Sequence, residues 1–204
     1  MTRTYAIIAV AILLSTLGAA VYFAFGPAAG DRFANCRNSV IAGGPQLGGP
    51  FTLTDHTGKR VTETEVFDEL ALLYFGYTYC PDICPLDTYR NAEATDILAE
   101  MGITVKPVMI TIDPQRDTPD VLAEFVGYLH EDMVGLTGSD AEISAVTKAF
   151  RAYSAKNGEG ENYLMDHSTF TYLIAPGGEF LEFFRRDLTS DELAEKTACF
   201  AEKL

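Results

Sequence analysis

Cys80 and Cys84 lie four residues apart in the run Cys-Pro-Asp-Ile-Cys-Pro. An apolar, aromatic stretch, Leu70 to Tyr77, leads into them. The stretch after them, Leu86 to Met101, carries Leu86, Ile97, Leu98 and Met101 at helical spacing. The first reads as a buried strand and the second as a helix, so the cysteines sit where a strand hands over to a helix. Backbone N–H groups at a helix start lack partners and the helix dipole is positive there. Such a setting favours thiolate, the form that attacks disulfides or binds metal. In open α/β sheets it is also where ligands bind.

The spacing narrows the chemistry. On a helical turn, residues i and i+4 hold their Cβ atoms about 5–6 Å apart, whereas a disulfide wants about 3.5–4.5 Å. A Cys80–Cys84 bond therefore needs local distortion and is easily reduced. Two thiolates on one ion, at metal–sulfur distances of about 2.3 Å, tolerate the wider separation. The pair reads as a metal site with reversible oxidation, against the competing reading of a structural disulfide. His167 is the candidate third ligand, because it opens a strand after an irregular loop and so projects at a sheet end. Two thiolates and one imidazole leave zinc one ligand short of its structural set. They suit copper, Cu(I) above all, with Cu(II) as the second candidate ion. Taken alone, His167 reads equally well as a capping histidine.

The other candidates carry less. His56 falls in a turn and His130 at a helix end, where the dipole accounts for it. Met165 reads as packing rather than a thioether ligand, as do Tyr74, Phe75, Tyr77 and Tyr79. Asp82 either tunes charge between the cysteines or favours the helix start. Asp113 ends a strand on the same sheet edge. It is either a partner that supports the ligands or a turn residue.

The elements that must position these groups follow in order. Phe51–Thr54 and Lys59–Val61 form a hairpin around Asp55-His56-Thr57-Gly58. After the cysteine strand and helix come a second central strand, Ile103 to Ile112, and a loop at Asp113–Asp117. Thr118 caps the next helix with Pro119 at its first position. A short strand at Met133–Leu136 and a helix at Ala141–Tyr153 follow. Residues 154–162 are polar with two glycines and read as an exposed loop. A strand at Thr169–Ile174, a turn at Pro176-Gly177-Gly178, a strand at Glu179–Arg185 and a helix at Thr189–Leu204 complete the chain. This order predicts an α/β, thioredoxin-like fold with an N-terminal β-hairpin, a parallel centre and an antiparallel edge.

Of 204 residues 48% are hydrophobic, ample for a core, and the net charge of −14 argues against nucleic acid and anionic membrane surfaces as partners. Tyr5 to Phe25 contains no charge and is long enough to span a bilayer. Arg3 precedes it and the next charge is Asp31. The positive-inside rule then predicts a single transmembrane helix with a cytoplasmic N-terminus and the body on the far side. A cleaved signal peptide, ending near Gly18-Ala19-Ala20 or Ala28-Ala29, is the rival reading. The expected organisation is an anchor at 1–26, a linker at 27–46 and a body at 47–204. An extracytoplasmic body permits disulfides. With Cys80 and Cys84 set aside, Cys36 and Cys199 remain of the four cysteines. They flank the body and are expected to pair as a structural disulfide.

Three stretches then carry a resemblance. They are Tyr74-Phe75-Gly76-Tyr77-Thr78-Tyr79-Cys80-Pro81-Asp82-Ile83-Cys84-Pro85, Ile110-Thr111-Ile112-Asp113-Pro114-Gln115-Arg116-Asp117-Thr118-Pro119, and Tyr163-Leu164-Met165-Asp166-His167-Ser168. From about residue 47 onward the chain resembles the SCO/SenC family of copper-binding, membrane-anchored proteins. The resemblance implies that Cys80, Cys84 and His167 bind one copper ion and that Asp113 supports the site. It implies a role in building the dinuclear copper centre of cytochrome c oxidase subunit II, as copper donor, as reductant of that subunit's cysteines, or both. A further periplasmic copper chaperone is an expected partner. The expected location is the bacterial inner membrane with a periplasmic body, or the mitochondrial inner membrane in a eukaryote. Thiol–disulfide exchange without copper transfer, and a copper or redox sensor, are the alternatives. A thiol peroxidase fits poorly, because Thr78 stands two residues before Cys80 rather than three.

Overall fold

The computed structural model describes residues 5, 15, 16, 32–37 and 47–204. The chain falls into two units, residues 1–35 and 36–204, and every described strand lies in the second. The expected membrane span falls outside the described residues except at Tyr5, Ser15 and Thr16. Among the described residues no helix is long and apolar enough to cross a membrane.

In chain order the second unit runs β1 (Thr52–Asp55), β2 (Arg60–Thr62), α1 (Glu63–Val66), β3 (Leu70–Gly76), α2 (Ile83–Glu100) and β4 (Val105–Thr111). It continues with α3 (Pro119–Leu129), β5 (Val134–Thr137), α4 (Asp140–Ala149), β6 (Ser154–Asn157) and β7 (Leu164–His167). The last elements are β8 (Thr171–Ile174), β9 (Phe180–Phe184) and α5 (Ser190–Ala201). Seven strands form one sheet in the order β2-β1-β5-β4-β3-β8-β9, and β6 and β7 form a separate pair. β3, β4 and β5 run parallel and the outer pairings are antiparallel. Each of the seven residues of β3 is buried. A central parallel strand covered on both faces must be apolar throughout, which is why Leu70 to Tyr77 reads so clearly. β3 and β4 pair from Leu70↔Val105 to Gly76↔Thr111, so both strands end at the same edge. Thr118 and Ser139 cap α3 and α4, and Thr189 caps α5.

Three features depart from the sequence expectation. Residues 154–162 are not a free loop. β6 and β7 pair antiparallel from Asn157↔Leu164 to Ser154↔His167, with Gly158 and Gly160 at positive φ in the turn. β6 is polar and half-exposed, and β7 sets its two apolar residues, Leu164 and Met165, side by side, so neither shows the apolar alternation that marks a strand; the backbone ladder holds them. His167 accordingly closes β7 instead of opening the next strand, which starts at Thr171. The short helix α1, with Thr62 N–H donating to Glu65 Oε2, carries too few residues for a periodic signal.

The buried face of α2 is largely polar. Leu86 and Met101 are more than half exposed, and the buried positions include Asp87, Thr88, Arg90 and Asn91. Tyr74 OH donates to Asp87 at 3.1 Å, Arg90 Nη2 to Thr171 Oγ1 at 2.8 Å, and Thr171 Oγ1 to Asn91 Oδ1 at 2.9 Å. Polar groups with partners are tolerated in a core, so apolar spacing alone does not mark this face.

Cys36 and Cys199 form a disulfide, with Cα atoms 5.7 Å apart and 163 residues between them in sequence. It ties residue 36 to the last helix. Cys36→Ser in the reduced-pair background is expected to lower stability by about 2–5 kcal/mol, read as a shift of the urea midpoint. A midpoint that stays in place would show that this link leaves the unfolded chain unconstrained.

Candidate metal centre

β3 ends at Gly76, and Tyr77 to Asp82 cross from the sheet to α2. Asp82 takes the N-cap position without a side-chain cap bond. Cys84, at the second helical position, is fully buried, and Cys80 is partly exposed. The two thiols are free, and Cys84 N–H donates to Cys80 Sγ at 3.3 Å. His167 reaches the pair from the end of β7: its Nε2 lies 3.3 Å from Cys84 Sγ. One ligand atom from each of Cys80, Cys84 and His167 lies within 4.8 Å of the others. Among the described residues no other group of three or more His, Cys, Asp or Glu has this geometry.

The two thiols differ. Burial pushes the Cys80 thiol up, but hydrogen bonds from the Cys84 thiol and from the backbone N–H groups of Asp82, Cys84 and Ile83 together leave Cys80 below its ordinary value. These N–H groups are the unpartnered donors of the helix start. Cys84 is pushed far up, first by burial and then by the neighbouring Cys80. His167 is held below its ordinary value, chiefly by burial, which favours the neutral imidazole. Its Nδ1 lies 2.8 Å from the carbonyl oxygen of Ser168. A carbonyl only accepts, so Nδ1 carries the proton and the Nε2 lone pair faces the cysteines. The rings of Tyr74 and Tyr77 each meet the imidazole edge to face, with centroids 6.0 Å away.

Gly76 makes the approach of strand and helix possible. A Cβ there would stand 2.7 Å from Tyr74 Cε1 and 3.2 Å from Cys84 Sγ. No side chain fits between β3 and the buried thiol.

Asp113 is buried and makes no hydrogen bond to the three ligand side chains. Its carboxylate accepts from Tyr163 OH at 2.6 Å and from Arg116 Nε. Arg116 Nη1 donates to Tyr163 O at 3.0 Å and to Glu161 O at 3.3 Å, and its guanidinium lies 3.7 Å from the centre of the Tyr163 ring. Asp113 thus ties the hairpin that carries His167 to the sheet edge. Tyr77 OH accepts from Met165 N–H at 3.2 Å, and Tyr153 N–H donates to Ser168 Oγ at 2.9 Å, which fix the hairpin on either side of His167.

Sequence reasoning missed Asp117. It is fully buried and accepts from Thr78 N–H at 3.1 Å, Thr78 Oγ1 at 2.6 Å and Thr111 Oγ1 at 2.6 Å. Burial raises its carboxyl against these bonds. It clamps the loop two residues before Cys80. The available signal was a second aspartate in Asp113-Pro114-Gln115-Arg116-Asp117, at the edge where β4 ends. His56 and His130 stand apart: His56 Nδ1 accepts from Gly135 N–H at 3.2 Å, and His130 Nε2 lies 3.0 Å from Asp96 Oδ1.

A strand-to-helix switch bearing two thiols, faced by a neutral imidazole from a hairpin, defines a metal-binding domain of mixed α/β class. Comparison with known proteins places it further. The SCO1/SenC family model matches residues 40–202. Protein SenC of Rhodobacter capsulatus is 44% identical over 204 residues, covering 100% of this chain and 92% of that protein. The copper-bound crystal structure of Arabidopsis thaliana ScoI is 40% identical and superposes with a TM-score of 0.72 over 77% of this chain and 97% of that one. The structure of BsSco, a Sco-family cytochrome c oxidase assembly protein with a disulfide switch, is 29% identical, with a TM-score of 0.61 over 75% of this chain and 93% of that one. The chain belongs to the SCO1/SenC family, and its fold is thioredoxin-like.

Two outcomes follow. Iodoacetamide at neutral pH alkylates Cys80 before Cys84, and the rate falls as pH drops through the Cys80 pKa, because only thiolate reacts. Peptide mass spectrometry reads the order; equal rates would contradict the asymmetry. Gly76→Ala forces the Tyr74 ring or the Cys84 sulfur to move. It costs about 1–3 kcal/mol by overpacking, visible in denaturant unfolding, and a neutral substitution would show that the gap closes freely.

Proposed function

We propose that this protein binds one copper ion through Cys80, Cys84 and His167 and delivers it to cytochrome c oxidase subunit II during assembly. The observation that carries the reading is the convergence of two sulfurs and one unprotonated imidazole nitrogen within 4.8 Å. Three soft ligands suit Cu(I), and a low coordination number leaves room for ligand exchange. The copper-bound relative supports the choice of metal, and the oxidase-assembly relative supports the recipient. The reading assigns residues 1–26 to a membrane anchor, 27–46 to a linker and 47–204 to the copper-binding body on the periplasmic side. The uncharged run from Tyr5 to Phe25 supports the anchor.

A second reading rests on the unequal thiols. The more exposed Cys80 attacks a disulfide in the recipient, forming a mixed disulfide and releasing one recipient thiolate. Cys84 then attacks Cys80 Sγ, releasing the second recipient thiol and leaving Cys80–Cys84 oxidised. Two electrons pass to the recipient. The same cysteines serve both readings, and only the first uses His167.

The test is Cu(I) titration of the reduced protein against a competing chelator, beside His167→Ala. A one-to-one complex that weakens by about tenfold or more in the variant supports delivery. Equal binding in both removes His167 as a ligand and favours the exchange reading.

A further inference from the structure

Beside the candidate centre lies a groove of about 400 Å³. Tyr79 and Pro85 line it on the cysteine side, and Val121, Phe125, Tyr128 and Leu129 of α3 line the other. Tyr79 precedes Cys80 directly and is 55% exposed; Tyr128 is 89% exposed. Isolated exposed apolar residues are ordinary, but a contiguous set around a groove marks an interaction surface. Tyrosines are frequent anchors on such surfaces.

Glu124 is the charged residue among those lining the groove, and the exposed charges of the two helices that flank it are acidic. The exposed charged residues of α2 and α3 are Glu93, Asp96, Glu100, Asp120 and Glu124, and exposed Asp82 precedes α2. Arg90, the single basic residue of the two helices, is buried. Arg116, 4.7 Å from the Tyr79 ring centre, is ion-paired with Asp113. Burying a partner's acidic segment here would juxtapose like charges, whereas a basic one gains complementarity and a faster encounter.

We propose that this groove docks the copper recipient through a basic segment with an aromatic or aliphatic anchor seated between Tyr79 and Tyr128. The inference deepens the copper-delivery reading and rests on it. Docking beside Cys80 brings the recipient's thiolates to the more exposed ligand. Cu(I) then changes ligands without changing oxidation state: each recipient thiolate that bonds to the ion replaces one bond from this chain. The docking energy comes from outside the ligand set, so transfer does not require weakening the metal site itself.

The test uses the full-length chain loaded with Cu(I) and the reduced, copper-free soluble domain of oxidase subunit II from the same organism. The variants are Tyr128→Ala and Glu124→Lys, both exposed and outside the ligand set. Tyr128→Ala is expected to weaken the complex about tenfold, mainly through faster dissociation. Glu124→Lys is expected to slow association and flatten its salt dependence. Both should keep the wild-type Cu(I) affinity against a chelator and the wild-type circular dichroism. Variants that dock and transfer as the wild type does overturn the docking face and leave copper delivery standing. A variant that loses Cu(I) affinity also overturns it, because its effect then runs through the metal site. A wild type that binds Cu(I) but neither docks nor transfers overturns the choice of recipient and the docking face together.

Discussion

The contact between Cys84 Sγ and His167 Nε2, 3.3 Å long and spanning 83 residues of sequence, is what the rest of the domain has to secure. One partner is buried at the start of a helix; the other ends a half-exposed hairpin. Bringing two such segments together costs chain entropy, and a ligand set that is already assembled carries that cost before any ion arrives. The fully buried β3 supplies the rigid base from which the cysteine loop departs. Gly76 removes the one side chain that would keep strand and helix apart.

Two buried aspartates hold the segments on either side. Asp117 accepts two hydrogen bonds from Thr78 and one from Thr111, so the loop before Cys80 is tied to the end of β4. Asp113 acts on the opposite segment, through Tyr163 and Arg116, and fixes the hairpin that carries His167. A buried carboxylate is costly unless it is paired and hydrogen-bonded. Here the partners are the segments that must be positioned, so desolvation and geometry are solved by the same bonds.

The two thiols are made unequal by placement, since they are chemically identical. Cys80 sits among the free N–H groups of the helix start, while Cys84 is covered by Tyr74, Gly76 and the imidazole. A pair with one accessible and one enclosed sulfur can release a bound ion, or resolve a mixed disulfide, in a set order. A groove edged by Tyr79 and Tyr128, with Glu124 in its lining, begins at the residue before Cys80.

Local chemistry made much of this legible in the sequence. The apolar run of β3, the two cysteines after it and the cap residue Thr118 declare themselves within a few residues, because strand burial, thiol spacing and helix capping are short-range effects. His167 was legible as a residue type and as part of a motif. Its element was not, because β6 is polar and β7 has Leu164 and Met165 adjacent, which leaves no apolar period for a ladder held by backbone bonds. The buried face of α2 was not legible for a related reason: Asp87, Arg90 and Asn91 find their partners on Tyr74 and Thr171, which lie on other strands. Asp117 was invisible as a clamp, since a carboxylate shows its donors only once β4 and the cysteine loop are side by side. Sequence alone determined which side chains could carry the chemistry. The tertiary structure decided which of them meet, because that depends on long-range pairing and burial, to which no single stretch of chain holds both sides.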